Sequence, residues 1–296
     1  MRAIDDGSAD ATAGRVERRR QGTPRLSLVP AGPLPPGWRG KVHALAVGAE
    51  GVASPWLLLT DADTRHHPEL LSRAAAAAAG HRLDAVSLAG DQEASGLAET
   101  LLVPAIFALL DTLLGSWEEA AGGGAPVANG QYILVRREAL ARSGGFAGLA
   151  DVPLDDVALA ARLRASGHRT GFFRAPGLLS VRMYRGWTEV TRGWRRNLGG
   201  LLGSRPSTVA AILALLALPA LALAFALVTG RFVAAALLWA GGAAASTVLR
   251  RGGGPPAAAG LLYPLDALLL AWVLARGMAD WRRGELASWK GRPMKV

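Results

Sequence analysis

Three clusters of carboxylates stand where apolar stretches stop. Asp5-Asp6 leads into the turn pair Gly7-Ser8, Asp61-Ala62-Asp63 follows the apolar run Trp56-Leu57-Leu58-Leu59-Thr60, and Asp155-Asp156 opens a helical stretch. In open α/β sheets, ligands bind at the carboxyl ends of strands. Two carboxylates with one residue between them at such an end can hold a hard divalent cation, Mg²⁺ or Mn²⁺, whose other positions are filled by substrate phosphates. An acid pair at a helix start can supply a general base. It also caps the helix and complements its dipole, so both readings stand for Asp155 and Asp156. Lys41 follows a Pro- and Gly-rich loop, where a solvated lysine is the plain alternative to a ligand contact. Arg192, Trp194, Arg195 and Arg196 lie just ahead of a long apolar run. Guanidinium groups bind phosphate bidentately. A basic, Trp-bearing segment beside an apolar span is equally what a membrane-surface helix presents. His66 and His67 follow the D-x-D; with Pro68 next, capping of the following helix competes with any contact to an ion.

Those side chains need a scaffold. Leu26–Val29, Trp56–Thr60, Ala85–Leu88 and Tyr132–Val135 read as strands. Ala11–Arg20, Val42–Ala49, Pro68–Ala79, Arg137–Ser143 and Asp156–Ser166 read as helices. Strands alternating with helices imply an α/β sheet with crossover connections. Gly122-Gly123-Gly124 and residues 30–40 read as loops, and Thr100–Leu114 as a core helix or one that dips into a membrane. Only four residues precede Asp5, too few for an ordinary strand, so the chain is expected to begin one element late. No secretory h-region is visible there.

The composition bounds the function. The chain has 296 residues, 51% hydrophobic and 19% charged, with 33 Lys+Arg against 23 Asp+Glu, a net charge of +10, and no cysteine. A disordered polyelectrolyte is less apolar than this, and without cysteine a disulfide scaffold or a thiol nucleophile is excluded. The apolar residues concentrate in Thr208–Thr229, Phe232–Leu249 and Ala257–Ala275, the last carrying Asp266 and Pro264. A crossing helix needs roughly 20 apolar residues, so these runs are expected to form transmembrane helices. The basic residues cluster beside them and not with an aromatic RNA platform, which argues against nucleic acid as a partner. Arg250, Arg251 and the basic tail both favour the cytoplasm by the positive-inside rule, which conflicts with three full crossings. One run is therefore expected to be re-entrant or interfacial.

The ordered set of motifs resembles the family 2 glycosyltransferases with a GT-A fold, of the membrane-attached, lipid-modifying type seen in carotenoid- and hopanoid-associated enzymes. The segments carrying the resemblance are Asp5-Asp6-Gly7-Ser8, Pro35-Pro36-Gly37-Trp38-Arg39-Gly40-Lys41, Thr60-Asp61-Ala62-Asp63-Thr64, Ala128-Asn129-Gly130-Gln131, Gly144-Gly145-Phe146, Asp155-Asp156 and Arg192-Gly193-Trp194-Arg195-Arg196-Asn197. Phosphatases of the haloacid dehalogenase type also place D-x-D after an apolar strand. They require Thr or Val two residues after the second Asp, where Arg65 stands here.

The resemblance implies a GT-A-like α/β domain over residues 1–185, its first strand missing, followed by a basic interfacial segment 186–207, a transmembrane region 208–276 and a basic tail 277–296. It implies Asp63, with Asp61, as ligands of Mg²⁺ or Mn²⁺. Asp156 is the implied base, beside Asp155 in place of the usual glutamate. Asp5, Asp6, Asp61, Lys41, Arg192, Trp194, Arg195 and Arg196 are the implied contacts to a nucleotide-sugar donor, UDP-linked. The expected activity is inverting transfer of the sugar to the hydroxyl of a membrane lipid or isoprenoid, by a multi-pass protein whose catalytic domain faces the cytoplasm. The alternative is a truncated, non-catalytic relative acting as a subunit.

Overall fold

The computed structural model describes residues 1–114, 127–152, 154–202, 206–249, 257–284, 288–289 and 292–293. The Gly122-Gly123-Gly124 loop, Arg250, Arg251 and part of the basic tail lie outside these residues. The chain divides into two compact units: Met1–Asp61, Leu71–Ala89 and Ala120–Phe173 form the first, and Ala62–Leu70, Gly90–Glu119 and Arg174–Val296 the second.

In the first unit, β1 (Arg2–Asp5), α1 (Thr12–Gln21), β2 (Ser27–Pro30), α2 (Gly40–Ala49) and β3 (Trp56–Thr60) follow in chain order. The second unit contributes the three-residue β4 (Thr64–His66) before the chain returns through α3 (Leu70–Gly80) and β5 (Ala85–Ala89). After β6 (Asp91–Gln92) and α4 (Leu97–Leu114) in the second unit, the first is completed by β7 (Tyr132–Arg136), α5 (Arg137–Arg142), α6 (Asp155–Ala165) and β8 (Thr170–Arg174). Its main sheet has the order β3-β7-β5-β8, with β7 antiparallel to both neighbours. The five residues of β5 are all buried, which is why it reads as an unbroken small and apolar run. Leu57, Leu59, Ile133 and Val135 pack with Val42 of α2, Leu140 of α5 and Leu159 and Leu163 of α6.

Two expectations are corrected here. A strand does precede the Asp5-Asp6 turn: Arg2–Asp5 pairs in parallel with β2, Ile4 opposite Val29 and Asp5 opposite Pro30. Four residues suffice because Asp5 itself belongs to the ladder and the Met1 amino group donates to the Arg25 carbonyl at 2.6 Å. The third apolar run, Ala257–Ala275, is not one span. It is a short 3₁₀ stretch (Ala257–Leu262) and a separate helix beginning at Leu265, split at Pro264, which can neither donate a backbone hydrogen bond nor sit inside a helix without a clash.

The second unit holds β9 (Leu179–Val181), which pairs antiparallel with β4 and parallel with β6. It also holds α4, α7 (Gly186–Leu202), α8 (Pro206–Thr229), α9 (Phe232–Leu249), α10 (Leu265–Arg282) and the small antiparallel pair Ser288–Trp289 with Arg292–Pro293. Thr100–Leu114 lies within α4, and its Leu102, Val103, Ile106 and Phe107 are core residues. Among the described residues one helix is long and apolar enough to cross a membrane, Thr208–Thr229, and only 13% of its most apolar window is buried. Leu213, Leu221, Leu223 and Leu227 of α8 are exposed, as are Leu237, Leu238 and Trp239 of the shorter α9. By contrast, α10 buries Leu270, Ala271, Val273 and Leu274 against α4 and α7. Multiple crossings are not supported.

α7 and α10 touch at their backbones. A Cβ built on Gly277 would lie 2.6 Å from the Arg195 carbonyl oxygen, and Asp280, one turn on, takes Nε and Nη2 of Arg195 at 2.9 and 2.5 Å. Gly277→Ala forces the helices apart at a point where backbone, not a flexible side chain, must move. The expected loss is about 1–3 kcal/mol of stability, read as a lower unfolding temperature for the full chain in detergent.

Candidate active site

Four stretches far apart in sequence supply one small hollow in the first unit. β3 ends at Thr60, so Asp61 leaves the sheet at its carboxyl edge. α6 begins at Asp155, placing Asp155 and Asp156 in its first turn, where the helix dipole favours carboxylates; Arg162 and Arg164 complete the match in its last turn. α2 begins at Gly40, so Lys41 projects from its first turn. The turn before β7 brings Gly130. The apolar wall is Val42, Leu59, Ile133, Phe146 and Leu159.

The geometry is ionic. Lys41 Nζ lies 3.0 Å from Asp61 Oδ1 and 3.7 Å from Asp155 Oδ2. Asp156 accepts the Gly130 amide on Oδ2 at 2.8 Å and the Val157 amide on Oδ1 at 2.8 Å. One carboxylate thus satisfies an amide at the start of α6 and one in the turn before β7. A Cβ at Gly130 would sit 2.5 Å from Lys41 Nζ, 3.5 Å from Asp156 Oδ2 and 3.6 Å from Asp61 Oδ2, so a larger residue there would push the lysine ammonium from its present place among the acids. The turn is fixed by its own polar contacts. Asn129 Oδ1 accepts the Gln131 amide at 3.0 Å, Ser87 Oγ accepts the Asn129 amide at 2.8 Å, and Thr60 Oγ1 donates to the Gln131 carbonyl at 2.8 Å.

A cation in a first helical turn opposes the dipole, and burial opposes the Lys41 ammonium further. Asp155, Asp61 and Asp156 overcome both and hold it above the ordinary lysine range. Although 41% of the Lys41 side chain is accessible, the ammonium is not a solvated loop charge. Burial pushes the Asp155 carboxyl up to about 6, opposed by Lys41 and reinforced by Asp156 and Asp61.

The other predicted contacts are placed as follows. Asp5 and Asp6 close β1, with Asp5 Oδ1 accepting the Ser8 amide at 3.1 Å; neither lines the hollow. Asp63 falls in the second unit, where its charge acts on the Tyr184 hydroxyl. Arg192 is exposed on α7. Trp194 is buried, its ring edge-on to Phe107 and Tyr184. Arg195 is committed to Asp280, and Arg196 hydrogen-bonds the Tyr184 hydroxyl. Gly130 belongs to the Asn129-Gly130-Gln131 segment, for which the resemblance implies an approach to the acceptor and the residue types a plain turn, whereas nothing in the residue type of Tyr184 marks it out.

The family model described as Glycosyl transferase family group 2 matches residues 56–277. The chain belongs to this family. Among solved structures, glucosyl-3-phosphoglycerate synthase from Mycobacterium tuberculosis in complex with phosphoglyceric acid is 19% identical with a TM-score of 0.42, covering 67% of this chain and 66% of that one. The same synthase with Mn²⁺, uridine-diphosphate and glucosyl-3-phosphoglycerate is 18% identical with a TM-score of 0.43, covering 68% and 67%. A mycobacterial protein is 18% identical with a TM-score of 0.43, covering 68% and 63%. This chain thus spans slightly under two thirds of the length of the first two structures it matches, at 63% and 66%. No curated protein matches the sequence.

A divalent cation is compatible with the donor chemistry of this glycosyl transferase. Asp61 offers hard carboxylate oxygen, which an ion would share with the Lys41 ammonium 3.0 Å away. No three acidic or imidazole side chains among the described residues form a ready cage. An ion here would complete its shell from phosphate and water oxygens, the usual mode for Mg²⁺.

The raised Asp155 carboxyl has a stability consequence. Its folded value, about 6, exceeds the ordinary value near 4, so the folded chain binds this proton more tightly than the unfolded one. The resulting stabilisation is complete below about pH 4 and is lost as pH rises through about 6. In metal-free buffer the parent is expected to lose stability relative to Asp155→Asn across that interval. Thermal unfolding of both proteins at a series of pH values measures it; parallel curves would contradict the assignment.

Proposed function

We propose that this glycosyl transferase moves a sugar from a nucleotide-diphosphate donor, UDP-linked, to the hydroxyl of a membrane lipid or isoprenoid acceptor, with inversion at the anomeric carbon. The observation that carries the reading is the convergence of Asp61, Asp155 and Asp156 on Lys41 at the carboxyl end of β3, in a chain of this family. Glucosyl-3-phosphoglycerate synthase is solved with UDP, UDP-glucose, Mn²⁺ and Mg²⁺, which is consistent with that donor and with a divalent ion. The exposed apolar surface of α8 favours attachment to a bilayer and hence a lipid acceptor. Nucleotide sugars are cytoplasmic, so the catalytic unit is assigned to that side.

In this reading Asp156 accepts the proton of the acceptor hydroxyl as the new bond forms. Its two backbone amide bonds fix the carboxylate while leaving lone pairs to receive the proton. A single base with direct displacement inverts the sugar carbon. Asp61, with Asp63 two residues on in the chain, would supply carboxylate oxygens to Mg²⁺ or Mn²⁺, and such an ion would neutralise the charge developing on the departing diphosphate. Lys41 offsets the repulsion between Asp61 and Asp155 and offers its ammonium to the same phosphates.

Membranes from cells producing the chain should transfer radiolabelled sugar from a UDP donor to organic-extractable lipid. Asp156→Asn should reduce transfer about 10²–10⁴-fold, the range for removing a general base, while leaving donor binding in place. Unchanged transfer in that variant would remove Asp156 from the mechanism.

A further inference from the structure

We propose that the outward face of α10 is a lipid-contacting surface: the helix lies in the membrane interface, with the stacked rings of Trp187 and Trp272 at the level of the headgroups. This rests on the bilayer attachment read above from α8 and adds a second surface to it, within the same unit.

α10 is apolar on two sides. One side carries Ala267, Leu270, Ala271, Val273 and Leu274, all buried. The other carries Leu265, Leu268 and Trp272, which are 47%, 43% and 41% exposed, and the preceding 3₁₀ stretch adds exposed Leu261 and Leu262. Positions 265, 268 and 272 form one helical stripe. A helix that is apolar all round belongs in a protein core or in lipid, and this one is only half in the core.

The single acid of the segment does not break the stripe. Asp266 is turned inward, 3% exposed, and accepts Ser246 Oγ of α9 at 2.8 Å. The outward face therefore carries no charge until exposed Arg276, one turn past Trp272, with exposed Arg282 beyond it. Trp187, at the start of α7 and 46% exposed, stacks on Trp272 with centroids 6.4 Å apart and planes at 25°. Arg185 stands two residues before it and Glu189 two after. Along this surface the order is leucine, paired indole, charge. That is the depth order at the edge of a bilayer, where indoles sit at the headgroups and arginine reaches lipid phosphate. A patch that docks a protein carries its polar rim all round, whereas the outward charges of α10 gather at one end.

The packing of α8 sets the depth. Ile212 belongs to the same core as Leu270 and Leu274, only six residues from the start of α8 at Pro206, or about 9 Å along the helix. α10 is thus docked near one end of the described helix that is long enough to cross, where a bilayer has its interface.

The chain has no cysteine, so single positions can be labelled. The full chain is reconstituted in phosphatidylcholine–phosphatidylglycerol vesicles with a nitroxide on Leu265→Cys, Leu268→Cys, Arg276→Cys or, midway along α8, Leu221→Cys. Collisions are measured with oxygen, which concentrates among acyl chains, and with a water-soluble nickel chelate. All four side chains are exposed, so no core contact is lost. Oxygen should dominate at 265 and 268, as at 221, and the nickel chelate at 276. If the nickel chelate dominates at 221, the bilayer reading fails and this inference falls with it. With oxygen dominant at 221, nickel dominance at 265 and 268 would put the face in water. Shielding there from both reagents would mean that protein, a second copy or another chain, covers the stripe, and oxygen dominance at 276 as well would sink the helix below the interface. Any of these three results overturns this inference alone.

Discussion

One ammonium among three carboxylates is the contact on which the first unit's chemistry depends. Lys41 enters from the start of α2, Asp61 from the end of β3, and Asp155 and Asp156 from the start of α6. None of these groups is comfortable alone. The lysine opposes its own helix dipole and is desolvated, while the acids repel each other across a hollow with an apolar wall. Removing the cation would leave uncompensated negative charge in a partly desolvated place, where such charges are costly. Together they form a site with a net negative balance. A site of that balance repels a bare anion and accepts one more readily when it arrives with a cation.

Much of this unit was legible in sequence because its strands are apolar and its acids sit at their ends. Trp56–Thr60 was bounded correctly, and β5 and β7 each run one residue past the expectation. The five-residue β8, Thr170–Arg174, and the four-residue β1, Arg2–Asp5, were missed, and the other missed strands are short. Thr64–His66, Asp91–Gln92 and Leu179–Val181 make a sheet whose stability comes from pairing partners distant in the chain, which no local pattern reveals. The apolar runs misled in the opposite direction. Hydropathy alone does not separate α8, whose leucines remain exposed, from α10, which buries one apolar side against α4 and α7.

At the site, sequence identified the acids but not their partners. Spacing shows that Asp61 ends a strand and that Asp155-Asp156 starts a helix. It does not show that Lys41, a flexible stem following a Pro/Gly-rich region, folds into them. The run Arg192 to Arg196 illustrates the same limit. Adjacent helix positions lie about 100° apart, so Arg195 and Arg196 face different neighbours, one the Asp280 carboxylate and the other the Tyr184 hydroxyl. Identical side chains acquire unlike roles because the fold, not the motif, decides which charge is matched.

Two glycines carry that logic further. At Gly130 the missing Cβ leaves space for Lys41 Nζ, and at Gly193 it leaves space for the Tyr184 ring. In each unit a polar side chain lies against bare backbone, and a Cβ there would displace that side chain from its present place. Interactions that must act on a developing charge are effective to the extent that they need no rearrangement when that charge appears. The absence of two methyl groups is therefore as much a part of the charged architecture as the carboxylates themselves.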